Sequence, residues 1–193
     1  MFDFLQAGYL VSKQTNTPTP QMFFRSLFAA LTIAAASFAP AAVATTGSES
    51  AARLGRSVLE TGLDFYVKCP ANTKYHGMYS PTEGAFVVCA GGKLPINFNA
   101  EQQDTLRHEA IHVAQDCVDG QLGNQLETTS YISTLMKTVA ASGIDATAIE
   151  ATYRENGADD HTILLELEAF SLAASLTNDE VNGLLRKVCR LPV

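Results

Sequence analysis

The chain has few basic residues and lacks the sequence features typical of nucleic-acid-binding and cysteine-ligated metal proteins. Its 193 residues contain 13 lysines and arginines against 20 aspartates and glutamates, which gives a net charge of −7. It has no C-x-x-C spacing, no block of like charges and no internal repeat. Nucleic acid and anionic membrane surfaces attract basic proteins, so this acidic balance excludes nucleic acid as an expected partner. A cysteine-ligated metal site is not expected either.

The N-terminal region has the pattern of an export signal. Met22 and Arg25 precede an alanine-rich apolar run, and Ala42-Val43-Ala44 forms an A-x-A cleavage site. A membrane anchor is the alternative, but an alanine-rich run interrupted by Pro40 makes a poor membrane-spanning helix. We therefore predict cleavage after Ala44 and no stable membrane insertion afterwards.

This interpretation divides the chain into three parts. Residues 1–21 form a leader to which the sequence assigns no role, residues 22–44 form the signal peptide, and residues 45–193 form one domain. The predicted location is extracellular or periplasmic. The sequence does not predict the oligomeric state.

The hydrophobic periodicity and turn signals predict an α+β fold that is mostly helical. A small antiparallel sheet, built around a hairpin, precedes a central helix, and a C-terminal helical bundle follows. The predicted helices cover 52–65, 100–118, 125–142, 145–155, 161–176 and 177–190, and the predicted strands cover 66–69, 75–79 and 85–89.

All four cysteines lie in the predicted mature domain. An even number of cysteines in an exported chain favours two disulfides, for which three pairings are possible. We prefer Cys69–Cys89, which closes the strand-rich segment, together with Cys117–Cys189, which ties the central helix to the last one.

The predicted central helix contains the motif His-Glu-x-x-His, formed by His108, Glu109 and His112. Residues four apart stand on the same face of a helix, so both imidazoles can reach one Zn²⁺ ion. Glu109 lies about 100° further round the helix, where it can reach a water beside the metal. Two imidazole ligands with an adjacent acid as general base are typical of a metal-assisted hydrolase.

A catalytic zinc needs a third protein ligand, which we expect on the helix predicted over 161–176. This helix is nearly all apolar, yet it contains Glu166 and Glu168. A buried carboxylate is usually paired or bound to a metal. Glu168 has the more apolar neighbours and Glu166 has the more open side, so the residues alone leave both as candidates.

The His-Glu-x-x-His motif, followed about fifty residues later by Glu168-Ala169, resembles the gluzincin clan of zinc metallopeptidases, especially its small single-domain members. The resemblance implies a zincin-like fold. It also implies Zn²⁺ held by His108, His112 and Glu168, with Glu166 as the alternative third ligand.

The resemblance covers roughly residues 66–174 and departs from the clan at one position. Larger gluzincins often carry an aspartate that orients a motif histidine, and Leu172 occupies that position here. Such peptidases commonly bind an extended substrate along an edge strand. The hairpin predicted over 75–89 either has that role or only covers the core.

The expected activity is zinc-dependent hydrolysis of a peptide or protein substrate, with Glu109 as general base. His161 is the first candidate for a further catalytic donor, because it lies seven residues before Glu168 and shares its face; Tyr131 and Tyr153 are alternatives. The second hypothesis is a catalytically inactive zinc-binding or structural envelope protein of the same fold. A third is a disulfide-stabilised helical protein in which the motif is accidental. The sequence does not predict the cleavage preference.

Overall fold

The computed structural model describes residues 41–71, 73–123 and 125–192, which form an α+β fold that is mostly helical. The predicted leader at 1–21 and residues 22–40 of the predicted signal peptide lie outside the described residues. No helix in the described ranges is long and apolar enough to cross a membrane. The helices are α1 (Ala41–Glu60), α2 (Ala100–Asp116), α3 (Ile132–Ser142), α4 (Ala146–Glu155), α5 (Asp160–Ser175) and α6 (Asn178–Val188).

A three-stranded sheet lies between α1 and α2 in the chain. Its strands are β1 (Asp64–Tyr66), β2 (Gly77–Ser80) and β3 (Ala85–Val88), in the order β1-β3-β2. The predicted hairpin is confirmed, because β2 and β3 pair antiparallel. The prediction of an all-antiparallel sheet is wrong at β1, which pairs parallel with β3. All of β3 is buried, and a buried strand needs backbone partners along both edges.

Both predicted disulfides are confirmed. Cys69 pairs with Cys89 and Cys117 pairs with Cys189, with Cα–Cα separations of 5.2 and 5.0 Å. The first bridge joins the chain after β1 to the end of β3. The second joins the C-terminus of α2 to the C-terminus of α6. Two disulfides are typical of a protein from an oxidising compartment.

Local capping signals position the ends of several helices. Asn99 and Gln102 form a capping box at the start of α2, which fixes where the motif helix begins. At α3 the predicted start is wrong by seven residues. The backbone N–H of Thr129 donates to Glu168 on α5, so it is not available to a helix starting at residue 125. Helix α1 ends before the predicted position, and Gly62 follows with a φ of 92°.

The main hydrophobic core surrounds α2, which packs against α1, α5, α6 and the sheet. A second, smaller cluster joins α3 to α5 and includes Leu135 and Leu167. Burial of the apolar face of α2 fixes the rotation of the helix and thus the direction of its two histidines. Large side chains that are fully buried in the main core are Leu54, Val58, Phe86, Val88, Leu106, Ile111, Val113, Val181 and Leu185.

Candidate metal centre

Two histidines of α2 and one glutamate of α5 converge in the structure. The Nε2 atoms of His108 and His112 lie 3.2 Å apart. Glu166 places Oε2 3.5 Å from Nε2 of His108 and Oε1 3.6 Å from Nε2 of His112. One ligand atom from each residue lies within 4.8 Å of the others, so the group can hold a metal ion. The packing of α5 along α2 therefore assembles a possible three-ligand site.

The structure puts Glu166 in the place that the resemblance assigned to Glu168. The carboxylate of Glu168 accepts hydrogen bonds from Gln115 Nε2 (3.0 Å), Thr129 N (2.9 Å) and Thr129 Oγ1 (2.9 Å). Residues two apart on a helix point about 200° apart, so only one of the two glutamates can face the histidines. The apolar neighbours of Glu168 do indicate the more deeply buried of the two acids. In the structure, however, this buried carboxylate accepts hydrogen bonds from Gln115 and Thr129.

The convergent groups shift one another's pKa values. Burial lowers the pKa of His112, but the negative charges of Glu166 and Glu109 and the hydrogen bonds to Glu166 and Gln115 raise it to about 9. Burial raises the pKa of Glu166, but His112 and His108 together hold it well below its usual value. Glu166 therefore remains ionised beside the two imidazoles.

Glu109, the central acid of the motif, is buried beside the same group. Its burial raises the pKa of its carboxyl, although the neighbouring His108 and His112 oppose this shift. The backbone N–H of Tyr79 on β2 donates to the carboxylate and also opposes the shift. An acid with a raised pKa, beside a possible metal site, can accept a proton and return it.

The strand β2 approaches Glu109 closely because Gly77 has no side chain. A Cβ atom at this position would meet Cγ2 of Thr105, the carbonyl oxygen of Val87 at 2.9 Å and Cγ of Glu109 at 3.0 Å. Glycine therefore permits the edge of the sheet to lie against the motif helix.

Tyr153 on α4 also contacts the group. Its hydroxyl donates to Glu166 Oε2 at 2.7 Å. Burial and the nearby Glu166 charge raise its pKa, so the hydroxyl keeps its proton. The ring of Phe170 packs against the rings of His108 (4.4 Å between centroids) and Tyr153 (6.5 Å). One of the two tyrosines named from the sequence is therefore a neighbour of the candidate ligand.

His161 faces a different part of the molecule from the one its predicted catalytic role requires. Its Nε2 atom lies 2.8 Å from the carbonyl oxygen of Leu126. We named His161 because it shares a helix face with Glu168. That face points to the loop before α3, so both side chains contact this loop and not the two motif histidines. Tyr131 is 87% exposed at the start of α3. Neither residue belongs to the possible metal-binding group found in the described part of the chain.

Gln115 is the functional candidate that sequence reasoning missed. Its Oε1 atom lies 2.7 Å from Nδ1 of His112, and its Nε2 atom donates to the carbonyl of Leu165 and to Glu168, each at 3.0 Å. Gln115 follows His112 by three residues, so helical spacing places the two side chains on neighbouring positions. That spacing was a usable signal for an orienting partner.

No protein family, curated protein or solved structure matches the chain at a significant level. The geometry of the His108, His112 and Glu166 group is therefore the main basis for a functional hypothesis.

Proposed function

We propose that the protein is an exported zinc metallopeptidase of the gluzincin type, with a zincin-like fold and with Zn²⁺ held by His108, His112 and Glu166. One observation carries the proposal: two imidazoles and a carboxylate converge, with Glu109 buried next to them. Two histidines and one glutamate form a known ligand set of catalytic zinc in peptidases. The two disulfides support an exported location.

The chemistry divides between the metal and the chain. A bound zinc ion would supply Lewis-acid polarisation of a substrate carbonyl and would lower the pKa of a water molecule. Glu109 would take a proton from the attacking water and deliver it to the leaving amine. The Tyr79 backbone N–H would hold the Glu109 carboxylate in position during both transfers.

The position of β2 supports a peptide as substrate. The Cys89 N–H donates to the carbonyl of His76 at 2.8 Å, so the alternation of an antiparallel pair directs the backbone groups of Gly77 and Tyr79 away from β3. In the described sheet, β2 is an edge strand, and this edge borders Glu109. An extended peptide bound along this edge, outside the Tyr79 N–H that donates to Glu109, would bring its backbone to the site.

The test combines metal analysis with peptide cleavage by the oxidised protein. We expect stoichiometric zinc in the wild type and in Glu109→Gln, with cleavage of a mixed peptide library by the wild type but not by Glu109→Gln. Glu150→Gln is the matched control, because it neutralises an exposed glutamate that pairs with Arg154 on α4 and should change neither result. Zinc binding without cleavage would favour the inactive zinc-binding protein. Absence of zinc from the wild type would overturn the proposal.

A further inference from the structure

We infer that Gln115 is a positioning residue for His112. Glu168 and the Leu165 carbonyl fix the orientation of the Gln115 side-chain amide. The inference rests on the proposed zinc site and extends it to residues that touch no metal. Gln115 would hold the His112 ring so that its Nε2 atom presents a lone pair toward His108 and Glu166.

The orientation of the Gln115 amide follows from a main-chain group. One end of the amide lies 3.0 Å from the carbonyl oxygen of Leu165, and a carbonyl oxygen only accepts hydrogen bonds. That end must therefore be the NH₂ group. The same NH₂ group also donates to Glu168 Oε2, an oxygen that already accepts from the backbone N–H of Thr129. Both contacts therefore require the NH₂ group of Gln115 to point toward α5.

The amide orientation then determines which ring nitrogen of His112 carries a proton. With its NH₂ group committed, Gln115 turns its carbonyl oxygen to Nδ1 of His112 at 2.7 Å. Nδ1 must carry a proton to donate to this oxygen. In a neutral imidazole the lone pair is then on Nε2, the atom that faces His108 and Glu166. A metal-binding histidine usually has such a partner at its other nitrogen.

Burial makes this arrangement difficult to replace. Gln115 and Glu168 are both 0% exposed, so bulk water cannot replace either partner. Larger gluzincins often carry an orienting aspartate on the ligand helix, where this chain has Leu172. Here the orienting group comes from the motif helix itself, and the ligand helix provides its support through Glu168.

The experiment measures two properties of the oxidised full-length protein, neither of which is activity. The first is zinc affinity, determined by competition with a chromophoric chelator. The second is solvent exchange of the His112 Nδ1–H proton, followed by ¹H–¹⁵N NMR with and without zinc. The ring N–H protons of His76, which is largely exposed, provide a fast-exchanging reference in the same sample.

Gln115→Met keeps the length of the side chain and removes all three of its hydrogen bonds, to His112, the Leu165 carbonyl and Glu168. We expect its zinc affinity to fall about 10- to 100-fold and the His112 Nδ1–H signal to exchange faster. Glu168→Gln keeps an acceptor for Thr129 and for the Gln115 NH₂ group, so its zinc affinity should stay within about threefold of the wild type. Ser171→Ala is the matched control: it removes a buried hydroxyl of α5 that bonds to the Glu168 carbonyl, and it should change neither measurement.

The outcomes separate this inference from the proposed function. A wild type that binds no zinc overturns the proposed function. A wild type that binds zinc while folded Gln115→Met binds it equally well overturns the positioning role alone. If Gln115→Met does not fold, the wild-type spectrum decides: a slowly exchanging Nδ1–H supports the inference, and exchange as fast as that of His76 contradicts it. An equal loss of affinity in Ser171→Ala would assign the effect to packing and would also contradict it.

Discussion

Two glutamates on opposite sides of α5 are placed in contrasting surroundings. Glu166 faces two imidazoles and a tyrosine hydroxyl, and its side chain retains 16% exposure. Glu168 is 0% exposed and accepts hydrogen bonds from uncharged groups of Gln115 and Thr129. Of the two acids, the less deeply buried one converges with the two histidines. A ligand must converge with other ligands and keep a route to solvent, whereas a structural acid needs only its donors.

The largest expected effect separates the two glutamates by metal binding. Glu166→Ala removes a proposed ligand, so zinc affinity should fall more than about 100-fold, beyond the range for residues that only orient a ligand. Chelator competition on the oxidised protein measures it. Glu168→Ala is the comparison variant. Zinc binding that survives in folded Glu166→Ala but is abolished in folded Glu168→Ala would reverse the assignment.

The second prediction separates them by stability. Glu168→Ala leaves the Gln115 amide and the Thr129 N–H without their buried acceptor, so the free energy of unfolding should fall by about 3 kcal/mol. Glu166→Ala removes a charged group that retains access to solvent and should lower it by less. Urea unfolding followed by circular dichroism measures both variants in the presence of a chelator. Equal destabilisation would show that the two environments differ less than the structure indicates.

The third prediction concerns a single hydroxyl on the Glu166 side. Tyr153→Phe removes the donor to Glu166 Oε2, a hydrogen bond to a charged group worth about 1.5 kcal/mol. If that bond holds the carboxylate in its ligating position, zinc affinity should fall by about tenfold. Competition with the same chelator measures it, and an unchanged affinity would remove Tyr153 from the group that organises the site.

The smallest effect is expected from the matching hydroxyl on the Glu168 side. Thr129→Val removes the Oγ1 donor to Glu168 but keeps the backbone N–H donor. The free energy of unfolding should fall by about 1 kcal/mol, while zinc affinity remains unchanged. Thermal unfolding and zinc titration of the same sample test both parts. A loss of zinc affinity as large as in Tyr153→Phe would mean that the two sides are not separate.

Much of the local structure could be predicted because local spacing determines it. The His108–His112 pair follows from helical periodicity, and the capping boxes at Asn99 and Thr177 follow from adjacent side chains. The preferred disulfide pairing, Cys69–Cys89 with Cys117–Cys189, is also confirmed.

The remaining features depend on how distant elements pack. The choice between Glu166 and Glu168 depends on the rotation of α5 against α2, which the sequence of α5 alone does not reveal. The parallel pairing of β1 depends on the need of the buried β3 for a second partner. The late start of α3 depends on the Thr129–Glu168 hydrogen bonds, which join residues 39 positions apart.

The most direct test of the central claim is a crystal structure of the oxidised, zinc-exposed protein, with anomalous scattering recorded at the zinc edge. We predict one strong anomalous peak per chain, in contact with His108, His112 and Glu166. A peak bound to Glu168, or no peak near the two histidines in zinc-exposed crystals, would contradict the proposed metal centre.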